Sequence, residues 1–173
     1  GVARSEITID LGAVRRNART LLRALGGAEL WAVVKANGYG HGAADVGGAA
    51  LGAGASALCV ATVPEALALR GELGGVRILV MGPATSREIA QARDAGLELA
   101  VGDGEVPGGV RVHLKLDTGM GRWGLSELPA PGREVVGLMS HFASADSDAA
   151  DVKRVVAKLE EGYLFVRVFG DYM

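Results

Sequence analysis

Six short apolar runs, most of them followed by a helix-start signal, constrain this chain more than any other feature. They are Leu30–Val34, Leu58–Ala61, Arg77–Met81, Leu97–Val101, Val110–Leu116 and Val135–His141. The runs are continuous rather than alternating, the pattern of strands covered on both faces in a parallel sheet. Helix signals stand between them. Asp10 predicts an N-cap, and Leu11, Val14, Ala18, Leu21, Leu22 and Leu25 follow at helical spacing until Gly26-Gly27 ends the helix. A Gly- and Ala-rich helix is predicted over about His41–Leu51. Thr62 to Glu65 and Thr85 to Glu88 have capping-box spacing, the first with Pro64 in the opening turn. A strand is also predicted at Glu6–Ile9, a polar-faced helix over Asp148–Glu161 and a last strand at Tyr163–Phe169. Repeated strand–helix units imply a parallel α/β fold, with the strands ending at Lys35, Ala61, Met81, Val101, Asp117 and His141 adjacent in sequence order.

Two connections break the rhythm. Gly102–Gly109 holds three glycines besides Gly102 and a proline, and Leu125–Glu134 holds two prolines. A parallel crossover normally needs a dozen or more residues. Both segments sit at or below that limit, so the outer helix is expected to be missing twice. No linker, repeat or low-complexity tract divides the chain, and one domain over residues 1–173 is expected.

The formal net charge of −2 and the lack of a basic stripe argue against a nucleic-acid or membrane-surface partner. Cys59 is the only cysteine, so no intrachain disulfide can form and a reducing compartment fits. The chain shows no signal-peptide pattern and no long apolar run, and a cytoplasmic location is expected.

Polar residues and glycines gather after the C-terminal ends of the strands, where α/β enzymes keep their sites. In Ala32-Val33-Val34-Lys35-Ala36-Asn37-Gly38-Tyr39-Gly40-His41-Gly42 a lysine stands at the rim of the sheet. An amine partly withdrawn from water there suits attack on an aldehyde. The glycines let backbone N–H groups approach a phosphate, and Tyr39 offers a hydroxyl. A solvated lysine before a glycine turn is the plainer alternative. His41 reads as a turn or helix-start residue without chemistry. In His113-Leu114-Lys115-Leu116-Asp117-Thr118-Gly119-Met120-Gly121-Arg122-Trp123-Gly124 another strand runs into a glycine-rich rim. Arg122 there suits a carboxylate, or else a surface salt bridge. In Gly137-Leu138-Met139-Ser140-His141-Phe142, His141 closes a third strand, either as a site residue or as a hydrogen-bonded rim histidine.

Together with Ile9-Asp10-Leu11-Gly12-Ala13-Val14 and Asn17, these three segments resemble alanine racemases, in order, over about residues 6–146. The resemblance implies a TIM-barrel-like parallel (β/α) barrel that binds pyridoxal 5'-phosphate. It implies an isomerase that interconverts L- and D-alanine through a Lys35 aldimine and supplies D-alanine for peptidoglycan. It makes Lys35 the catalytic and cofactor lysine, Tyr39 a phosphate ligand and His141 a neighbour of the pyridine ring. It makes Arg122 the substrate and cofactor-oxygen contact, and Lys115 the lysine that many members carry as a carbamate holding that arginine. Members of the family act as homodimers.

The sequence also departs from the family. Full members are much longer, with a complete eight-stranded barrel and a β domain that provides a second base, a tyrosine. No counterpart of that domain or of the family's His-x-x-Asn-Ser strand is visible, so an incomplete barrel is expected. The tail strand, with Leu164, Val166 and Val168 on one face, is expected to patch the gap. Arg167 is a candidate partner of the pyridine nitrogen and Tyr172 a candidate replacement base. A cofactor-binding module without turnover, or an inactive racemase fragment, remains the alternative to an active enzyme. Alanine and serine are both open as substrates.

Overall fold

A computed structural model describes residues 5–144 and, beyond them, 150, 151, 153, 154 and 157. Six strands form one sheet: β1 (Trp31–Val33), β2 (Ala57–Val60), β3 (Ile78–Val80), β4 (Glu98–Val101), β5 (Arg111–Leu116) and β6 (Val135–Ser140). Their spatial order is their sequence order and every neighbouring pair is parallel. This is the predicted TIM-barrel-like arrangement, incomplete among the described residues, with β1 and β6 at its two edges.

Five helical segments accompany the strands: α1 (Leu11–Ala24), α2 (Lys35–Tyr39), α3 (Ala43–Gly52), α4 (Val63–Leu73) and α5 (Ser86–Asp94). Each predicted cap forms. The Asp10 carboxylate accepts from Ala13 N–H, and Gly26 at φ 58° ends α1. Thr62–Glu65 and Thr85–Glu88 both close as reciprocal capping boxes. The segments between β4 and β5 and between β5 and β6 contain no helix.

One predicted strand is absent. Residues 5–10 form no strand, and Ile7 is 87% exposed. A strand is stable only when a neighbour takes its backbone hydrogen bonds, and the β1 edge has no second described partner. Ala150, Asp151, Lys153, Arg154 and Ala157 are helical, as predicted for that region. The tail strand Tyr163–Phe169, with Arg167, and Tyr172 lie outside the described residues.

Alternation along each strand divides the side chains between two faces. Leu58, Val60, Ile78, Val80, Leu99, Val112, Leu114 and Leu138 form the outer core, against which Ala66 and Leu69 of α4 and Ala92 of α5 are buried. The opposite face carries Trp31, Ala57, Cys59, Leu79, Ala100 and Met139, with Val33, Met81 and Trp123 packed alongside. Register places Lys115 opposite Met139 and His113 opposite Gly137, so both belong to this inner face.

Candidate functional site

Because all six strands run the same way, whatever follows their C-terminal ends shares one rim. Lys35 lies two residues beyond β1, Arg122 in the loop after β5, and His141 directly after β6. Lys35 and His141 thus stand at the same end of the sheet, not at opposite ends.

The lysine turn is unusual in its backbone. Ala36, Asn37, Gly38 and Tyr39 all have φ between 50° and 63°, a single left-handed turn. That conformation costs about 1–2 kcal/mol at most non-glycine residues; asparagine tolerates it, so the cost falls on Ala36 and Tyr39. Strain of this kind persists only where surrounding contacts over-determine it. Those contacts are present. Gly38 N–H donates to Val34 O and Gly42 N–H to Asn37 O. The Asn37 side-chain oxygen accepts from Ala43 N–H at 3.0 Å and so caps α3. Gly38 is buried, and a Cβ there would lie 3.2 Å from the Ala43 nitrogen. His41 Nδ1 sits 3.0 Å from Gly38 O, in keeping with the turn role expected for it. The turn brings Lys35 Nζ within 5.7 Å of the centre of the Tyr39 ring.

Glu65 reaches the same turn from the neighbouring unit. One carboxylate oxygen accepts from Ala36 N–H at 2.7 Å, and the other from Thr62 N–H at 2.9 Å and Ala61 N–H at 3.0 Å. Partial burial pushes this carboxyl up, but the bonds from Ala36, Thr62 and Ala61 outweigh it and hold the group below the usual carboxylate range. The capping-box spacing exposes Glu65 in the sequence, but its reach to Ala36 requires two separate loops to meet and has no local signal.

The second rim segment is equally well built. The Asp117 carboxylate accepts from Gly119 N–H at 3.0 Å and Gly121 N–H at 3.1 Å, which lowers its pKa. Leu125 then returns to β5, exchanging hydrogen bonds with Asp117 N–H and Lys115 O. A Cβ on Gly124 would lie 2.9 Å from the Asp117 nitrogen, so the return demands glycine. Between these anchors Arg122 is exposed, and among the described residues its guanidinium enters no ion pair. Trp123 packs its ring against Gly102, where a Cβ would come within 2.8 Å. Lys115 is only 7% exposed, and its amine donates to the carbonyls of Trp123 and, at 3.4 Å, Arg122. Burial lowers its pKa, the Arg122 charge lowers it further, and Asp117 opposes both. On β6 the Ser140 hydroxyl donates to Leu116 O at 2.8 Å and meets the Thr118 hydroxyl at 2.7 Å, fixing the strand end that carries His141.

The sequence profile described as "Alanine racemase, N-terminal domain" matches residues 9–166. The chain belongs to the alanine racemase N-terminal domain family. It is 40% identical over 177 residues to the alanine racemase of Symbiobacterium thermophilum, covering 90% of this chain and 47% of that protein. The crystal structure of alanine racemase from E. faecalis superposes with a TM-score of 0.76 at 30% identity, over 88% of this chain and 48% of that one. The alanine racemase of Bartonella henselae, solved with covalently bound pyridoxal phosphate, shares the fold with a TM-score of 0.77 at 24% identity, over 92% of this chain and 54% of that one. The chain thus spans about half the length of the racemases it matches.

Within this family setting, one polar cluster at the opposite end of the inner face went unread in the sequence. Glu98, fully buried, takes a paired bond from Arg77 at 2.7 and 3.0 Å and a contact from His113 Nε2 at 2.6 Å, with Arg111 at 3.5 Å. Arg77 lies over the Trp31 ring, and Trp31 meets His113 edge-on. The cluster sits at the N-terminal ends of β3, β4 and β5, away from the rim that carries Lys35. Residues at that end of a parallel barrel serve stability rather than chemistry.

Proposed function

We propose that these residues form the cofactor-binding half of an alanine racemase, with pyridoxal phosphate joined to Lys35. The strained left-handed turn after β1 carries this reading, because it holds a primary amine in a costly conformation at a rim shared with Arg122 and His141. The chemistry of the donor set fits the cofactor. An aldehyde needs a primary amine, an anionic phosphate needs N–H and O–H donors, and a carboxylate substrate needs a guanidinium. Lys35, the turn with the Tyr39 hydroxyl, and Arg122 supply these in turn.

When bound, the cofactor delocalises the charge left at the substrate's α-carbon. The protein's own groups do the rest. Lys35 Nζ would hold the cofactor and, as a free amine at the rim, would remove or return the α-proton on one face. Arg122 has no described acidic partner and is available to hold the carboxylate. His141, directly after β6 at the same rim, would flank the cofactor ring. Trp123, locked on Gly102, shields the inner rim from water. Lys115, with its pKa lowered, holds a neutral amine more readily, and the neutral form is the one that adds carbon dioxide. The resulting carbamate would be an anion beside Arg122 and would orient it.

Reprotonation on the opposite face requires a second acid. No described residue is assigned that role, and Tyr172 lies outside the described residues. By the family resemblance we further assign alanine over serine, action as a homodimer, a cytoplasmic location and a contribution to peptidoglycan D-alanine. No helix among the described residues is long and apolar enough to cross a membrane.

The test uses the 173-residue chain with added pyridoxal phosphate. A yellow, borohydride-trappable adduct is expected, and Lys35→Ala should abolish it. Exchange of the α-deuterium of alanine should accompany it. Racemisation by these 173 residues alone should fall about 10²–10⁴-fold below that of a full-length relative, the worth of one positioned acid or base. An adduct without deuterium exchange would favour a non-catalytic binding module. No Lys35-dependent adduct would overturn the reading.

A further inference from the structure

We propose that Glu65 is a positioning residue for Lys35, clamping the left-handed turn in the form that presents the amine. The inference rests on Lys35 being the cofactor lysine, and deepens that assignment.

The argument begins with two helix starts of the same chemistry. Glu88 closes the box at α5 by accepting from Thr85 N–H at 2.8 Å and from the Thr85 hydroxyl at 2.9 Å. Glu65 makes the equivalent bonds to Thr62 at the start of α4. A capping box needs nothing more. Glu65 nevertheless accepts two further backbone N–H groups, from Ala61 and Ala36, and the Ala36 bond at 2.7 Å is the shortest of the set. Ala36 directly follows Lys35 and opens the left-handed turn.

Ala36 and Tyr39 in that turn each resist the conformation by about 1–2 kcal/mol, while Asn37 tolerates it. A hydrogen bond to a charged acceptor contributes a comparable amount, so losing one bond can decide whether the turn holds its shape. The carboxylate is well suited to this because it is ionised and its other oxygen is already fixed by Ala61 and Thr62 at the helix start. It therefore has little freedom left to lose on holding Ala36.

The setting makes the effect one of position more than of folding. Glu65 lines a cleft of about 300 Å³ together with Val34, Asn37, Asp45, Leu69 and Glu72. The cleft is partly polar and roomy enough for water, and Ala36 is itself exposed, so water can reach its N–H when the carboxylate is removed. Water would satisfy the donor without fixing the direction of the turn. The consequence is a wandering Lys35 rather than an orphaned group.

Glu88 provides the control, since Glu88→Ala removes the same cap without touching the lysine turn. Three measurements on the 173-residue chain test the inference: amide hydrogen exchange over residues 36–40 without cofactor, the apparent affinity for pyridoxal phosphate, and thermal stability. Glu65→Ala is expected to accelerate exchange over residues 36–40 and to weaken cofactor capture by about tenfold. Glu88→Ala should lower stability by a similar amount and change neither of the other two. Glu65→Gln keeps an oxygen for Ala36 and should recover much of the affinity. The clamp is overturned if Glu65→Ala and Glu88→Ala leave residues 36–40 equally protected. Faster exchange in Glu65→Ala, in a chain that never forms a Lys35 adduct, would uphold the clamp on the turn while sinking the cofactor assignment.

Discussion

The two ends of the sheet are held by different means. From β1 to β4, successive strands are joined through α3, α4 and α5, and the buried residues of β1, β2 and β3 are all apolar. From β4 to β6 the crossovers carry no helix, and the buried polar residues Glu98, His113, Lys115, Thr118 and Ser140 all lie in this part. Where helices cover the sheet, caps and apolar packing suffice. Where they do not, side-chain hydrogen bonds tie one strand to the next: Glu98 links β4 to β5 and to Arg77 before β3, and Ser140 links β6 to β5. The first part should therefore respond to substitution locally, and the second through side-chain clusters whose members depend on one another.

The largest effect is expected at Glu98. Removing it leaves the Arg77 charge and the His113 ring without their buried acceptor, and breaking such a cluster costs about 3–5 kcal/mol. Glu98→Ala should lower stability by that order in a denaturant titration, and a loss below about 1 kcal/mol would break the comparison. The pH dependence sharpens it. Burial alone would raise the Glu98 carboxyl, but hydrogen bonds from His113 and Arg77 and their charges bring it from the ordinary 4.5 down to about 2. A carboxyl depressed in the folded state stabilises fully above its unfolded value. That contribution is lost as pH falls from 4.5 toward 2. Glu98→Gln should remove this part of the acid sensitivity, so the stabilities of the two proteins should draw together across that window.

The contrast between the two parts also explains what the sequence makes legible. Helix starts are local: Asp10, Thr62 with Glu65, and Thr85 with Glu88 each announce a cap within four residues, and all three form. The six strands and their order follow from apolar runs and the parallel α/β pattern, and the missing outer helices follow from the short, glycine- and proline-rich connections. Lys35, Arg122 and His141 reach one rim because each follows a strand end. The Glu98 cluster stayed hidden because it joins residues 15 and 21 positions apart, with no spacing rule to pair them. The Ala36 bond to Glu65, 29 positions away, is hidden for the same reason. Glu6–Ile9 shows the converse error. Its alternation suits a strand, but no described neighbour takes its hydrogen bonds and Ile7 faces solvent. Gly137 is a milder case. A Cβ there would lie 2.2 Å from His113 Nδ1, so this glycine is set by a ring on the next strand and not by a turn.

A smaller effect is expected from Ser140→Ala. The hydroxyl is 6% exposed and bridges Leu116 O and the Thr118 hydroxyl. Its loss leaves two buried polar groups short of a partner, at about 1–3 kcal/mol for an unsatisfied group. Because Ser140 precedes His141, Ser140→Ala should also weaken pyridoxal phosphate capture, which a purely structural bridge would leave unchanged. Titration of the cofactor by absorbance separates the two.

The smallest effect is expected from Thr85→Ala, in the helix-covered part. The Thr85 hydroxyl accepts from Glu88 N–H at 3.3 Å, and the Glu88 carboxylate accepts in turn from Thr85 N–H at 2.8 Å. Replacing an N-cap threonine costs about 1 kcal/mol, because one of the free N–H groups at the helix start loses its acceptor. The Thr85 N–H bond to Glu88 survives, which keeps the loss at that modest level. Thr85 and Ser140 share no hydrogen-bond partner. If the helix-covered part is modular, Thr85→Ala and Ser140→Ala should add to within about 0.5 kcal/mol in the double variant. Glu98→Ala and Arg77→Ala remove the two ends of one paired bond, and should depart from additivity by more than that. Equal additivity in both pairs would erase the distinction between the two parts of the sheet, since partners within one side-chain cluster cannot be lost independently.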